Sequence, residues 1–145
     1  MSTEANKAIA RRHFEELWNK GDLAVADEIY STNAVGHDPT NPQHGGYPEC
    51  EKEMVVRDRT ALPDTHVTIE DQIAEGDQVV TRWTARGTHT GEVMGIPPTE
   101  KQVTFAGIHI HRIEAGKIVE VWAIDDLLGL MQQFGVIPPL RPGGT

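Results

Sequence analysis

The hydrophobic pattern changes period at Pro63, and that switch constrains the fold more than any other feature of the chain. Before it, apolar residues recur at helical spacing. Ile9, Ala10, Phe14, Leu17 and Trp18 form one stripe over residues 4–19, with His13 beside it and within reach of a pocket. Gly21 suits the C-cap of this helix, and Asp22 suits the N-cap of a short second helix whose buried side is Leu23, Ala26, Ile29 and Tyr30. A third helix is expected over residues 48–61, with Pro48 in its first turn and Pro63 at its end. Between the second and third helices, residues 31–46 read as a long polar connection rich in Gly, Pro and His. Connections of that length usually line a site or stay unstructured.

After Pro63 the period is two. Val67, Ile69, Asp71 and Ile73 alternate with polar residues, and Val79, Thr81, Trp83 and Ala85 follow past a tight turn at residues 75–77. An irregular stretch at 87–99 leads into a long strand at 101–113. One face of that strand carries Val103, Phe105, Gly107, His109, His111 and Ile113. A hairpin turn at 114–117 returns the chain as a last strand, 118–124, before a short apolar helix at 127–134. Gly107 in mid-strand marks a bend, a bulge or a close approach. The expected fold is α+β: a cone-shaped α+β barrel, with three N-terminal helices packed on a curved antiparallel sheet around one mostly apolar pocket. A single domain is expected over residues 1–140, with 141–145 a disordered tail. The last two strands are apolar on both faces, so a second subunit is the expected cover and the protein is expected to be a homodimer.

Charge narrows the function. The chain has 13 Lys and Arg against 22 Asp and Glu, a formal charge of −9, and its cations do not cluster. Such a surface repels a phosphate backbone, so no nucleic-acid partner is expected. No apolar run approaches a membrane span and no leader is visible, so no membrane partner and a cytoplasmic location are expected. The one cysteine, Cys50, sits among carboxylates, which raise rather than lower a thiol pKa. No zinc signature, phosphate-binding glycine loop or nucleophile elbow is present, so no metal and no cofactor are expected.

Histidines, carboxylates and aromatics remain as the groups that can carry chemistry. Antiparallel strands joined at 114–117 bring positions summing to about 231 opposite each other. His109 then faces the region of Trp122 and Ala123, and His111 the region of Glu120 and Val121. Asp125 falls on the same face, nearer residues 105–107. A histidine and a carboxylate in an apolar cavity make an acid–base unit, so His109 and Asp125 are the catalytic candidates. Capping the helix at 127 or structural bonding is the stronger reading for Asp125 taken alone, and Asp126 reads as the cap or as solvent-exposed. His37, in His37-Asp38-Pro39, is a ligand-binding candidate on the long connection. Trp18, Trp83 and Trp122 offer flat apolar walls, with Phe105 and His111 lining the same pocket. His89 is expected at its rim.

Six stretches carry a resemblance to a known family: residues 14–22, His37-Asp38-Pro39, residues 87–91 and 95–99, the strand at 103–113, and residues 116–120. Together the chain resembles the SnoaL-like polyketide cyclases, in the superfamily of nuclear transport factor 2 and ketosteroid isomerase. The resemblance implies an α+β cone, usually dimeric, without cofactor or metal. It also implies ring closure of a polyketide by intramolecular aldol condensation, with a carboxylate as acid–base and a histidine assisting. By the resemblance, the histidine falls at His109 and the carboxylate near Ala123, where this chain has alanine, and Val121 stands where many relatives have histidine.

Three functions follow as expectations. The first is acid–base chemistry on a small cyclic or aromatic carbonyl compound, with a small hydrophobic or polyketide-like molecule as partner. The second is a non-catalytic protein that binds such a ligand. The third is an epoxide or lactone hydrolase, which needs an arginine between carboxylates, and Arg112 lies on the strand face opposite His109.

Overall fold

A computed structural model describes residues 2–41 and 45–140. The tail expected at 141–145 lies outside the described residues, as does His44 of the long connection. Helix α1 (Thr3–Arg12) starts at Ser2, whose hydroxyl accepts a bond from the Ala5 N–H. It runs on into a π-helical turn, His13–Trp18. Helix α2 is Ala24–Ile29, and strand β1, Tyr30–His37, follows it directly. Helix α3 (Glu49–Ala61) then leads to strands β2 (His66–Glu75), β3 (Gln78–Thr88), β4 (Gln102–Glu114) and β5 (Lys117–Asp125), and to helix α4 (Leu127–Phe134).

The sheet order is β1-β5-β4-β3-β2. Three expectations are corrected by it. Only the α1 helix with its π-turn and α2 precede the first strand, while α3 comes after it. The sheet is mixed rather than antiparallel, because β1 pairs parallel to β5, with Gly36 opposite Val121 and His37 opposite Trp122. And the sheet is open: β1 and β2 are its two edges, paired only with β5 and β3, so there is no barrel.

Each correction has a physical cause. Residues 31–37 lack the apolar alternation of a half-buried strand, because as an edge strand β1 is held by backbone bonds to β5 and buries little beyond Tyr30. Closure is not needed to cover the inner face of the sheet, because the α1 helix packs across β2, β3 and β5 there.

A bulge between Ile69 and Asp71 changes the parity of β2. Val67 and Ile69 share the inner face with Ala85 and Trp83, whereas Asp71 and Ile73 pair with Arg82 and Val80 on the outer face. One extra residue turns every later side chain over. A second irregularity, between Arg112 and Ile113, sets β5 against β4 so that His109 faces Ala123, His111 faces Val121 and Gly107 faces Asp125.

Gly107 is a close approach. A Cβ there would lie 2.3 Å from Trp83 Cζ2 and 2.8 Å from the Ile124 carbonyl oxygen. The indole of Trp83 therefore lies flat across β4 and can reach His109. The irregular stretch before β4 buries His89 completely, with its ring on Phe134 and its Nδ1 beside the Thr99 hydroxyl, so His89 is no rim residue. Among the described residues no helix is long and apolar enough to cross a membrane.

Candidate functional site

Between the inner face of the sheet and the helices lies a cavity of about 340 Å³, in the size range of small-molecule sites. Its walls are apolar and aromatic: Phe14 and Trp18 from the π-turn, Trp83 from β3, Phe105 from β4 and Phe134 from α4. Its ionisable groups include His13, His109, Asp125, Asp38 and three residues of α3, Glu51, Arg57 and Asp58.

His109 has a defined protonation state. The Trp83 indole N–H donates to its Nδ1 at 2.8 Å. An indole nitrogen can only donate, so Nδ1 holds a lone pair and the proton sits on Nε2. Burial agrees with this neutral form, pushing the imidazole down to about 4 despite the favourable field of Asp38. His109 therefore offers the cavity a neutral N–H donor, suited to a carbonyl oxygen or the enolate it becomes.

Asp125 is free of the capping role. Asp126 is the N-cap of α4, its Oδ1 accepting the Gly129 N–H at 2.9 Å. Asp125 lies half-buried on the cavity wall, and its carboxyl is raised by burial and by Asp38, Asp58 and Asp126. It stands two residues beyond Ala123, the partner of His109 across the ladder. That diagonal corresponds to a separation of about 7–8 Å, room for a ligand atom between the two groups.

The other sequence candidates divide. Trp18, Trp83 and Phe105 line the cavity. His111 does not: it is fully buried below His13 and His109, ring centroids 5.0 and 5.5 Å away, with neither nitrogen bonded. Its burial and His109 keep it neutral. The three imidazoles are a packed floor, and among the described residues no group of His, Cys, Asp and Glu is placed to hold a metal.

Trp122 is on the opposite face of the sheet, where His37 stacks on it at 5.3 Å and donates its Nε2–H to the Glu120 carboxylate at 2.7 Å. His37 touches the cavity only at its edge and is 45% exposed. Arg112 is on that outer face too, bonded to Glu120.

The sequence reading missed Glu51. This carboxylate is 4% exposed, lines the cavity, and accepts the Trp18 indole N–H at 3.1 Å. Burial raises it from 4.5 to about 7, against the pull of the Trp18 bond and helped by Asp58 and Asp38. Asp58, one helical stripe further on, is likewise raised by burial, with Arg57 opposing. A signal existed: Glu51, Met54, Val55 and Asp58 stand at i, i+3, i+4 and i+7, the buried stripe of an amphipathic helix, so two carboxylates occupy positions that packing alone would fill with apolar side chains. Cys50 beside them is buried and its thiol is pushed up to about 11, which makes it unreactive at neutral pH.

Known proteins carry the same architecture. A protein from Acidithiobacillus ferrooxidans, provisionally named a polyketide cyclase, is 31% identical with a TM-score of 0.81, over 93% of this chain and 98% of that one. TsrD from Streptomyces laurentii is 26% identical with a TM-score of 0.85, over 94% and 99%. AclR from Streptomyces galilaeus, provisionally named a hydroxylase, is 26% identical with a TM-score of 0.85, over 97% and 87%. Among curated proteins no sequence matches the chain. The family model for SnoaL-like polyketide cyclases matches residues 8–134, which runs from the middle of α1 to the end of α4 and takes in the whole cavity wall. A small-molecule enzyme of cyclase-like character is what such a match supports in general terms, and the chain belongs to the SnoaL-like polyketide cyclase family.

Proposed function

We propose that the cavity binds a small cyclic or aromatic carbonyl compound and catalyses aldol-type carbon–carbon bond formation with its own side chains as acid and base. The Trp83–His109 hydrogen bond carries this reading, because it leaves a neutral Nε2–H as the donor in an aromatic cavity. In the proposed reaction the Asp125 carboxylate takes a proton from the carbon next to a carbonyl. The electron pair moves onto the carbonyl oxygen, which accepts the His109 Nε2–H bond. Trp18, Trp83 and Phe105 hold the rings.

A suitable probe is a diketone with benzoyl and acetyl groups joined by three methylenes, which closes to a six-membered ring. Wild-type protein is expected to exchange the acetyl protons for deuterium in heavy water and to close the ring. Asp125→Asn is expected to slow exchange by roughly 100-fold or more with an unchanged circular dichroism spectrum. Exchange at the wild-type rate in Asp125→Asn excludes Asp125 as the base.

One observation favours a second reading. Ala123 pairs directly with His109, so the position where the resemblance places a carboxylate is apolar. A non-catalytic protein that stores or carries the same ligand fits that substitution. Saturable binding of the probe with no exchange above the buffer rate is the result that selects it.

A further inference from the structure

We propose that Glu51 is a second catalytic group of this cavity, the acid that protonates the acceptor carbonyl as the ring closes, and that His13 and Trp18 are its positioning residues. This rests on the aldol reading above and adds the half of the reaction that Asp125 and His109 leave without a proton donor.

The geometry begins with the π-turn. In an α-helix, residues five apart point about 140° away from each other. The wider i→i+5 turn over His13–Trp18 brings both ends round to one side, and both side chains meet Glu51. The Trp18 indole N–H donates to Glu51 Oε1 at 3.1 Å, and His13 Nε2 stands 3.7 Å from the same oxygen. On its other side, His13 Nδ1 lies 2.8 Å from the Tyr30 hydroxyl. Tyr30 is fully buried and its phenol is held protonated, so its O–H donates to Nδ1 and the His13 proton sits on Nε2, toward Glu51.

His13 is neutral: burial, His111 and His109 all oppose its protonation. The contact with Glu51 is therefore an imidazole beside a carboxyl group, not an ion pair. Burial and the acidic groups around Glu51 favour the protonated acid. Tyr30 and Tyr47 are neutral at neutral pH, Cys50 is a thiol, and the fields of Asp58 and Asp38 raise Glu51. A cavity-lining carboxyl group that keeps its proton to about pH 7 is a donor at physiological pH.

The step balances. Asp125 takes a proton from the acetyl methyl of the probe, and the C–H pair becomes the enolate held by His109. The enolate carbon bonds to the benzoyl carbon, whose C=O π pair moves onto its oxygen. That oxygen takes the Glu51 proton and becomes the alcohol. Asp125 ends protonated and Glu51 ionised, and exchange with water restores both. Proton abstraction alone needs no Glu51, whereas ring closure does.

The test is the ratio of ring closure to deuterium exchange, measured with the same diketone. Glu51→Gln keeps the Trp18 bond but has no acid proton. It is expected to lower that ratio by about 100-fold and to remove the fall in closure rate as pH rises through about 7. His13→Gln is expected to move that alkaline limb rather than remove it, which a merely structural role would not do. Residual exchange by each variant serves as the control for folding. Closure by Glu51→Gln at the wild-type ratio overturns the inference while leaving Asp125 and His109 in place. No exchange by the wild type overturns the aldol reading and this inference together.

Discussion

The bond from Trp83 to His109 is the residue-scale feature with the clearest consequence. Trp83→Phe keeps an aromatic wall but removes the N–H that binds Nδ1. The imidazole is then free to take either tautomer, and a donor turned into an acceptor repels the carbonyl it should bind. A kcat loss of about 10–100-fold with little change in KM is expected, and nitrogen NMR should show mixed tautomers in place of one.

Titration gives a second test at the same scale. Glu51 is raised in the folded state, from 4.5 to about 7. Between those values the folded protein binds more protons than the unfolded chain, so this group makes stability fall as pH rises, with the full cost present above about 7. Glu51→Gln lacks that cost. Its stability relative to wild type should rise by roughly 3 kcal/mol from pH 4.5 to 7, measured by urea unfolding at each pH. His109 acts in the opposite sense. Its folded value of about 4 lies below 6.5, so its contribution is complete above 6.5 and is lost as pH falls toward 4, and buried His13 and His111 add to that acid sensitivity.

Among the elements, β4 and α4 separate what the site needs from what the fold needs. Gly107→Ala drives a methyl into the Trp83 ring and the β5 backbone, nearer to both than a Cβ can sit without a shift. It should cost about 2–3 kcal/mol and weaken catalysis too, because Trp83 moves off His109. Asp126→Ala removes the α4 cap and should cost about 1 kcal/mol, with the exchange reaction retained, since Asp126 is not a cavity residue. A thermal melt and an exchange assay on the two variants distinguish the roles. The π-turn belongs to this scale as well. Sequence periodicity placed His13 near the apolar stripe, but only the wide turn brings Trp18 to the same carboxylate.

For the whole molecule, the outer face of the sheet sets the main expectation. Ile73, Val80, Ile110, Trp122 and His37 form a row across all five strands, and Ile108 and Ile124 pair beside it, 47% and 66% exposed. A contiguous apolar surface of this kind is uncommon on a monomer, and the helices are all committed to the inner face. A second copy of the chain is the expected cover. Ile108→Glu should convert a dimer into a monomer in sedimentation, with the cavity and its exchange activity intact. A wild type that sediments as a monomer rejects the expectation.

Local pattern was enough to place the helices, strands β2 to β5 and His109 opposite the region of Trp122 and Ala123, because helical and two-residue periods and a short hairpin turn are written in neighbouring residues; the pairing with Ala123 itself came from the register of the folded ladder. The motifs carried the family for the same reason. Four things were decided only in three dimensions. Strand β1 forms because a distant backbone edge on β5 accepts it, not because residues 31–37 are strand-like. The bulge after Ile69 moved Asp71 and Ile73 to the outer face, and β1 carried His37 there with Trp122. The sheet stays open because α1 covers the face that closure would have covered. Glu51 gains its proton affinity from burial against Trp18, His13 and Tyr30, groups that meet it only when the helices pack, and desolvation has no signature in a linear sequence.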